Sequence, residues 1–516
     1  MNQIQKTITL ILLSLSICTI GFGQAVGSKK KNVNTKPYPL GNPVVKHMYT
    51  ADASPHVMPD GKVWMVTSVD SDNGGGYETM HSYHTFSSSD MVNWTDHGEV
   101  FHVDDIMPEE VENEKWALWA PDMVYRNGQY YLYYPVRILH TDTVRANGGR
   151  VTSSYIGVAV SDSPDEKFKV LNPKIEGTKG IDPAIFIDDD GTPYLYWGRH
   201  MGAVLKENMQ EFATKPVSIE LGTDRFMEAP WMNKRNGEYH FSYHTKYDWK
   251  VKLTKDNHND PNRKKSELAY SVSQSPLGPF EYKGTLNHEL GVNVNNGPRH
   301  PDGDFVSWKL TQSNHGGIVE YHGQEYLFYH TSALSSWRQD EFKGEGTWTQ
   351  RSVCVDSLNY DTNGNVIPVQ QTIECVDPVK VNQPFAIALN TKEAVLEKGV
   401  KRVGQKIMVK GEKGMIRFKN VNLGSGYYYF GLQVKGTENA KAEIRLDKPD
   451  GKLVGTVVIN QHALEENDKV ENTLRAAAGK HDIYLIFTNE EKGNMTISDM
   501  QFFAGAPAQL NSSSIR

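Results

Sequence analysis

A chain of 516 residues is too long for one ordinary hydrophobic core, so at least two domains are expected. Its formal net charge of −7 supplies no basic surplus with which to hold nucleic acid. Three cysteines are too few for a disulfide framework, and beyond the N-terminus no window is long and apolar enough to span a membrane.

In chain order, residues 1–25 read as a secretory signal: Lys6, an apolar core from Ile8 to Ile20, then small residues at Gly21 and Gly23. Ile17 is a poor match to the small residue that a lipoprotein signal places before its cysteine, so Cys18 is not read as a lipid anchor. The expectation is an exported protein, periplasmic or secreted. Residues 26–36, with Lys29, Lys30 and Lys31, read as a flexible leader, and order is expected from Pro37. The mature chain keeps Cys354 and Cys375, which an oxidising compartment would allow to pair.

A repeated hairpin follows. Nine residues before the turn glycines Gly61, Gly128, Gly191 and Gly237 stand Asp52, Trp119, Asp182 and Glu228; a fifth copy places His315 eight before Gly323. Each glycine is followed within three residues by an aromatic: Trp64, Tyr130, Tyr194, Tyr239 and Tyr326. Runs of β-branched and aromatic residues around such turns predict hairpins. The copies begin 46 to 87 residues apart, enough for about four strands each, which is the signature of a β-propeller. Each blade buries its faces only against its neighbours, so five must close into a ring and bring the five entrance residues together.

Ordinary hairpins of a β-rich protein are the plainer reading of any single copy. Five entrances holding Asp, Trp, Asp, Glu and His are a poor choice for packing. Three carboxylates at one channel mouth repel one another, and that crowding raises at least one pKa. Paired carboxylates of different acidity are what glycosidic bond cleavage requires.

The motifs YTADASPHV, LWAPDMVYRNGQYYLYY, GIDPAIFIDDDGTPYLYW, FMEAPWMNKRNGEYHFSY, SNHGGIVEYHGQEYLFYH and RSVCVDSLNYDTNGNVIPV resemble those of glycoside hydrolase family 43. The resemblance spans residues 37–377 and implies a five-bladed propeller that hydrolyses with inversion. It implies that Asp52 is the general base, Glu228 the general acid, and Asp182 the residue that orients Glu228 and tunes its pKa. Base and acid of an inverting pair are expected about 6.5–9.5 Å apart. It further implies that Trp119 and Ala120 line the terminal-sugar pocket, with a core aromatic as the alternative for Trp119. Arg351 matches an arginine that reaches sugar hydroxyls; a surface salt bridge is the alternative. For His315 two readings stand together: a satisfied structural imidazole near the substrate, and a partner of a central, water-bridged calcium. Phe226 and Met227 precede the acid and are read chiefly as packing, and Asp122 as structural. Ala53 stands where many relatives carry proline. The retaining clan that cleaves fructans shows Arg-Asp-Pro and Glu-Cys where this chain reads Ile181-Asp182-Pro183 and Glu228-Ala229, which argues against fructan chemistry.

Composition then shifts. All ten tryptophans lie at or before Trp348. Residues 381–505 carry short alternating stretches, among them GMIRFKNVNL, GYYYFGLQVKG, KLVGTVVIN and HDIYLIFTN, which predict a β-sandwich (jelly roll). AEIRLDKPDGKLVGTVVI, GKHDIYLIF and SDMQFF resemble a family 6 carbohydrate-binding module. The loop NQHALEENDKVEN lacks an aromatic, so bracing the propeller stands beside sugar binding as its role. Residues 506–516 read as a disordered tail.

The fold expected is therefore all-β, a five-bladed propeller followed by a sandwich. The function expected is an inverting exo-glycosidase that releases terminal arabinofuranosyl or xylosyl units from plant or algal polysaccharides and oligosaccharides. A galactofuranosidase and a non-catalytic glycan-binding propeller are the alternatives. Segments Ser71–Met80, His140–Arg150, Tyr247–Lys265 and 291–304 are expected to form loops around the pocket mouth.

Overall fold

The computed structural model describes residues 38–503, apart from 109–111, 249, 252–253, 255, 258–259, 290–312, 381–383, 385, 425, 438 and 461–468. The signal, leader and tail segments and the candidate rim loop 291–304 lie outside the described residues.

Five antiparallel sheets follow one another along the chain. The first joins Thr50–Val57, Val63–Val69, Ser82–Ser88 and Thr95–His102 in that order. The second joins Asp122–Arg126, Gln129–Val144, Arg150–Ser161 and Lys169–Asn172, with Glu114–Leu118 added beside the long second strand. Ala184–Ile187, Pro193–Trp197, Met201–Val204 and Val217–Ser218 make the third. Phe226–Arg235, Glu238–Thr245, Leu268–Ser273 and Glu281–Asn287 make the fourth, and Gly317–Tyr321, Gln324–Thr331, Ser352–Tyr360 and Val366–Ile367 the fifth.

Local sequence explains the hairpins. Asn127-Gly128, Asn236-Gly237 and His322-Gly323 all have positive φ at both positions, the two-residue turn whose twist matches paired strands. The paired strands are buried along most of their length, as continuous apolar runs covered on both faces should be. His140–Arg150, expected as a loop, instead continues the hairpin: the strands run to Val144 and from Arg150, extended by Val and Thr side chains.

Five apolar clusters fill the joints between successive sheets. Trp64 and Tyr83 pack with Leu132 and Tyr134 between the first and second, and Ile156 packs with Leu195 and Trp197 between the second and third. Tyr196 packs with Phe241 and Tyr243, and Tyr270 with Leu327 and Tyr329. The last cluster sets Val319, Phe328 and Val353 of the fifth sheet against Val63, Met65 and Phe86 of the first. The sheets are thus five blades of a closed ring. Residues 41–44 fasten the closure: Val44 N donates to Val353 O at 2.8 Å, and the Asn42 side chain accepts from Val355 N and donates to Val355 O, both at 3.0 Å.

The C-terminal segment folds as two sheets. One orders Val400–Val403, Lys406–Lys410, Asn494–Phe503, Tyr427–Lys435 and Lys469–Ala477, with Ala386–Ala388 also paired to Asn494–Phe503. The other orders Val395–Lys398, Lys413–Asn422, Lys480–Asn489, Asn439–Leu446 and Leu453–Asn460. Their inner faces share one core of Val, Ile, Leu and Phe, including Ile407, Phe430, Ile444, Leu485 and Phe502. This sandwich meets the propeller where the inner strands end: Phe503 packs on Tyr125, and a cavity of about 1270 Å³ is lined by Asp188, Lys234, Glu325, Arg445, Lys452 and His481, among others. Cys354 and Cys375 are not joined; both are thiols, the first buried in the fifth blade. No helix among the described residues is long and apolar enough to cross a membrane.

Candidate active site

The predicted carboxylates sit near the N-terminal ends of the first strands of their blades: Asp52 in Thr50–Val57, Glu228 in Phe226–Arg235, and Asp182 just before Ala184–Ile187. Asp52 and Asp182 both have φ of 55°, and Ala229, next to Glu228, has φ of 59°. The pairing slips between Ala51 and Ser54, and again on either side of Glu228. Left-handed backbone at a non-glycine costs roughly 1–3 kcal/mol and turns a side chain out of the regular alternation. At each carboxylate the inner strand kinks.

Asp52 is buried and fully engaged. Arg351 Nη1 donates to its Oδ1 at 2.8 Å, and Ser68 Oγ donates to its Oδ2 at 2.5 Å. Its backbone N–H donates to His330 Nδ1 at 3.2 Å, and His330 Nε2 donates to Ser313 O, which fixes the neutral tautomer. Burial raises the Asp52 pKa, but Arg351, His315, His330 and the Ser68 hydroxyl outweigh it and hold the carboxyl at about 2. Burial and the Arg351 charge keep His330 down at about 3. Arg351 is itself gripped by Asp70: Nε to Oδ2 at 2.9 Å and Nη2 to Oδ1 at 2.8 Å. It is 2 % exposed, so it is a buried ion pair and not the surface salt bridge allowed for above.

Asp182 Oδ2 accepts from Ala229 N at 3.0 Å, which ties it to the residue after Glu228. Burial and the neighbouring Glu228 charge push Asp182 well above the carboxylate range. Glu228 also feels burial, but it is lowered by His244 Nδ1 at 3.1 Å from its Oε1, by His315, and by Ser313 Oγ donating at 3.2 Å. His244 Nε2 meets Ser266 Oγ at 2.6 Å, so one imidazole nitrogen faces each partner. Asp182 and the half-buried Glu228 repel each other, so they titrate as a pair and the proton they retain belongs to both.

His315 lies between the two ends of the site. Its Nδ1 is 3.5 Å from Asp52 Oδ1; burial lowers its pKa despite the attraction of Asp52 and Glu228. Calcium takes six to eight oxygens. Among the described residues no three or more His, Cys, Asp or Glu side chains converge as a metal cage, and the acids nearest His315 are engaged with Arg351 and imidazoles. The described side chains thus form no cage for a directly held calcium, and a water-bridged one needs none.

Trp119 is half-buried and not in the apolar core: its Nε1 donates to Tyr77 O at 3.0 Å, and the Arg137 guanidinium lies 5.0 Å from its ring centre. Ala120 is buried behind it. Tyr77, in a turn of Ser71–Met80, sets its ring edge-on to Trp119 at 5.9 Å and to Trp348 at 5.0 Å. The Arg351 guanidinium stands 5.1 Å from the Tyr77 ring. Phe226 packs in the joint of blades three and four, while Met227 is exposed. Asp122 is buried below the site, where Ser54 and His56 meet its Oδ1 and Ile185 N donates to its Oδ2 at 2.7 Å. It therefore bolts the first three inner strands together.

Residue-by-residue reading overlooks Ser68, His244 and His330. All three stand seven residues after a turn glycine, Gly61, Gly237 and Gly323 respectively, so the return strand brings each beside the entrance of its own hairpin or the next. The same counting that finds the carboxylates finds their partners. Asp70 and Tyr77 lie beyond that pattern and carry no local signal.

The model of glycosyl hydrolases family 43 matches residues 40–366, and that of carbohydrate binding module family 6 matches residues 389–504. Xylosidase/arabinosidase 43A of Humicola insolens is 30% identical over 386 residues, 63% of this chain and 98% of that protein. An arabinoxylan arabinofuranohydrolase of Bacillus subtilis (strain 168) is 27% identical over 514 residues, 88% of this chain and 90% of that protein. Among solved structures, a GH43 β-xylosidase/α-arabinofuranosidase from a compost microbial metagenome, described with xylotriose in a calcium-free form, is 29% identical, with a TM-score of 0.47 over 65% of this chain and 98% of that one. With its family model matched across five blades and its acidic residues gathered at one mouth, the chain belongs to glycosyl hydrolases family 43.

Proposed function

We propose that this chain is an inverting exo-glycosidase that removes terminal arabinofuranosyl or xylosyl units from plant or algal polysaccharides and their oligosaccharides. The observation that carries the reading is geometric: Asp52 is gripped by Arg351 and Ser68 as an anion, while Asp182 is tied to the residue after Glu228 and crowds that second carboxyl. Inversion needs that division between a permanent anion and a retained proton.

In the proposed reaction a water sits on the Asp52 side of the anomeric carbon. Glu228 gives its proton to the glycosidic oxygen as the bond to the anomeric carbon breaks. Asp52 takes a proton from the water as the new carbon–oxygen bond forms. The sugar leaves with inverted configuration, the chain leaves as an alcohol, and one proton has moved from the acid to the base. Asp182 orients Glu228 through Ala229 N and keeps the pair's proton available. Arg351 and His315 hold the base, and Trp119 with Ala120 walls the terminal-sugar pocket. His315 keeps both readings, an imidazole beside the carboxylates and a partner of a water-bridged calcium.

Relatives named for both xylose and arabinose support the sugar class, and one from Aspergillus niger named for β-D-galactofuranose, 26% identical over 361 residues, supports galactofuranose as the second reading. We take 37–377 and 381–505 as the two domains and residues 1–25 as the signal for export. The sandwich's packing against the inner-strand ends supports a bracing role for it. A screen of aryl glycosides should identify the sugar, and proton NMR of the first product formed should show inverted configuration. Product of retained configuration would sink the mechanism.

A further inference from the structure

Among the residues whose burial is described, Trp348 is the one exposed Phe, Tyr or Trp side chain, at 44 %. Exposed aromatics on a mobile loop are unremarkable, but this loop is pinned along its length. Ser332 and Ser336, at the start of the helix Ala333–Asp340, donate through their hydroxyls to Glu345 O and Gly344 O. Thr347 N donates to Ser335 Oγ at 2.9 Å, and Gln339 Nε2 to Thr347 Oγ1 at 2.6 Å. Gly346, at φ 73°, lies where a Cβ would come within 2.6 Å of Ser336 N, so the loop is pressed onto the helix. On the other side Gln350 Nε2 donates to Asp72 O at 2.6 Å, which joins the loop to Ser71–Met80. Three residues after Trp348 comes Arg351, clamped to Asp52 and Asp70.

The fold thus holds an indole rigidly in the open, one ring away from the site: Trp348 rests on Tyr77, and Tyr77 on Trp119 and Arg351. In the proposed reading Trp119, half-buried, and Ala120, buried, wall the inner pocket; Trp348 is the outer, exposed member of the same row. A rigid indole presents a flat apolar face at little entropic cost, and the C–H face of a neutral sugar ring is its natural complement.

We infer that Trp348 is the platform for the sugar on the leaving-group side of the scissile bond, and so selects a polysaccharide chain over a small aglycone. The inference rests on the glycosidase reading. The test compares the parent with Trp348→Ala and Trp348→Phe, using an arabinoxylan-derived or xylan-derived oligosaccharide that the parent cleaves. The expected result is a fall in kcat/KM of about tenfold for Trp348→Ala, carried by KM, with most of it restored in Trp348→Phe. Inhibition by the released monosaccharide, which occupies only the inner pocket, should change by less than about twofold. Unchanged oligosaccharide kinetics would overturn the inference, and so would a parallel loss of monosaccharide inhibition. If the parent cleaves no oligosaccharide, the glycosidase reading fails by itself. Calorimetry with xylotriose then decides separately: equal affinities for parent and Trp348→Ala overturn the platform, and a weakened variant upholds it.

Discussion

Arg351 Nη1 donates to Asp52 Oδ1 at 2.8 Å while its Nε and Nη2 are taken by Asp70, so one buried cation serves two buried anions. Such a cluster is weak evidence for stability but strong evidence for a fixed ionisation state, since removing one member leaves an unpaired buried charge costing about 3–5 kcal/mol.

Substituting Arg351→Met should therefore act on the pH profile. Asp52 has a folded pKa of about 2, below the ordinary 3.8, so the native state binds fewer protons than the unfolded chain between those values. Its contribution to stability is complete above the unfolded pKa and is lost as pH falls through about 2. Without the cation, the largest influence that opposes burial is gone. The acid limb of kcat/KM should move upward by a unit or more, along with a lower Tm, and Arg351→Lys should retain most of the parent limb. An acid limb that stays in place in Arg351→Met would refute this role.

For the Asp182–Glu228 pair the expected shift has the opposite sense. Asp182→Asn removes a negative charge that helps the pair retain its proton, while an amide oxygen can still accept from Ala229 N. The basic limb should move to lower pH, and turnover at neutral pH should fall about tenfold to a hundredfold. A basic limb unchanged from the parent would assign Asp182 to structure alone.

Replacing the two carboxylates proposed to react is expected to be more severe. Asp52→Asn and Glu228→Gln should each lower kcat by roughly a thousandfold or more, about 4 kcal/mol of barrier, with monosaccharide binding still detectable by calorimetry. Parent-like hydrolysis of an activated aryl glycoside by both variants would remove the two residues from the reaction.

Asp122 makes a structural prediction. It receives Ser54, His56 and the Ile185 amide from two neighbouring blades. Asp122→Ala leaves those groups buried and unsatisfied, at about 1–3 kcal/mol for a lost partner. Thermal unfolding should show a clear drop in Tm, with Asp122→Asn intermediate; an Asp122→Ala variant as stable as the parent would contradict this.

Much of this architecture was legible because it is local. The hairpins are written in Asn-Gly turns and apolar runs, and a constant spacing to the turn glycine locates Asp52, Trp119, Asp182 and Glu228. Ser68, His244 and His330 obey an equally simple count on the return strand, but polar residues inside a strand are easily passed over as surface. The pairing of Arg351 with Asp70, 281 residues apart, is different in kind. It exists only because blade five packs against blade one, and no local pattern encodes that meeting. Neither did spacing tell that Cys354 and Cys375 remain unjoined, since pairing depends on distance across the closed fold.

The seam between blade five and blade one also sets a timetable. A ribosome delivers Asp52 first and Arg351 almost three hundred residues later, and a domain folds as a unit once its parts have emerged. Throughout that interval Asp52 lacks its cation and residues 41–44 lack the strand to which they fasten. A nascent chain stopped after the fourth blade would own all three carboxylates and still lack the cation that pairs with the first of them. The Arg351–Asp52 pair thus forms only with the closing of the ring, the last act of the propeller's assembly.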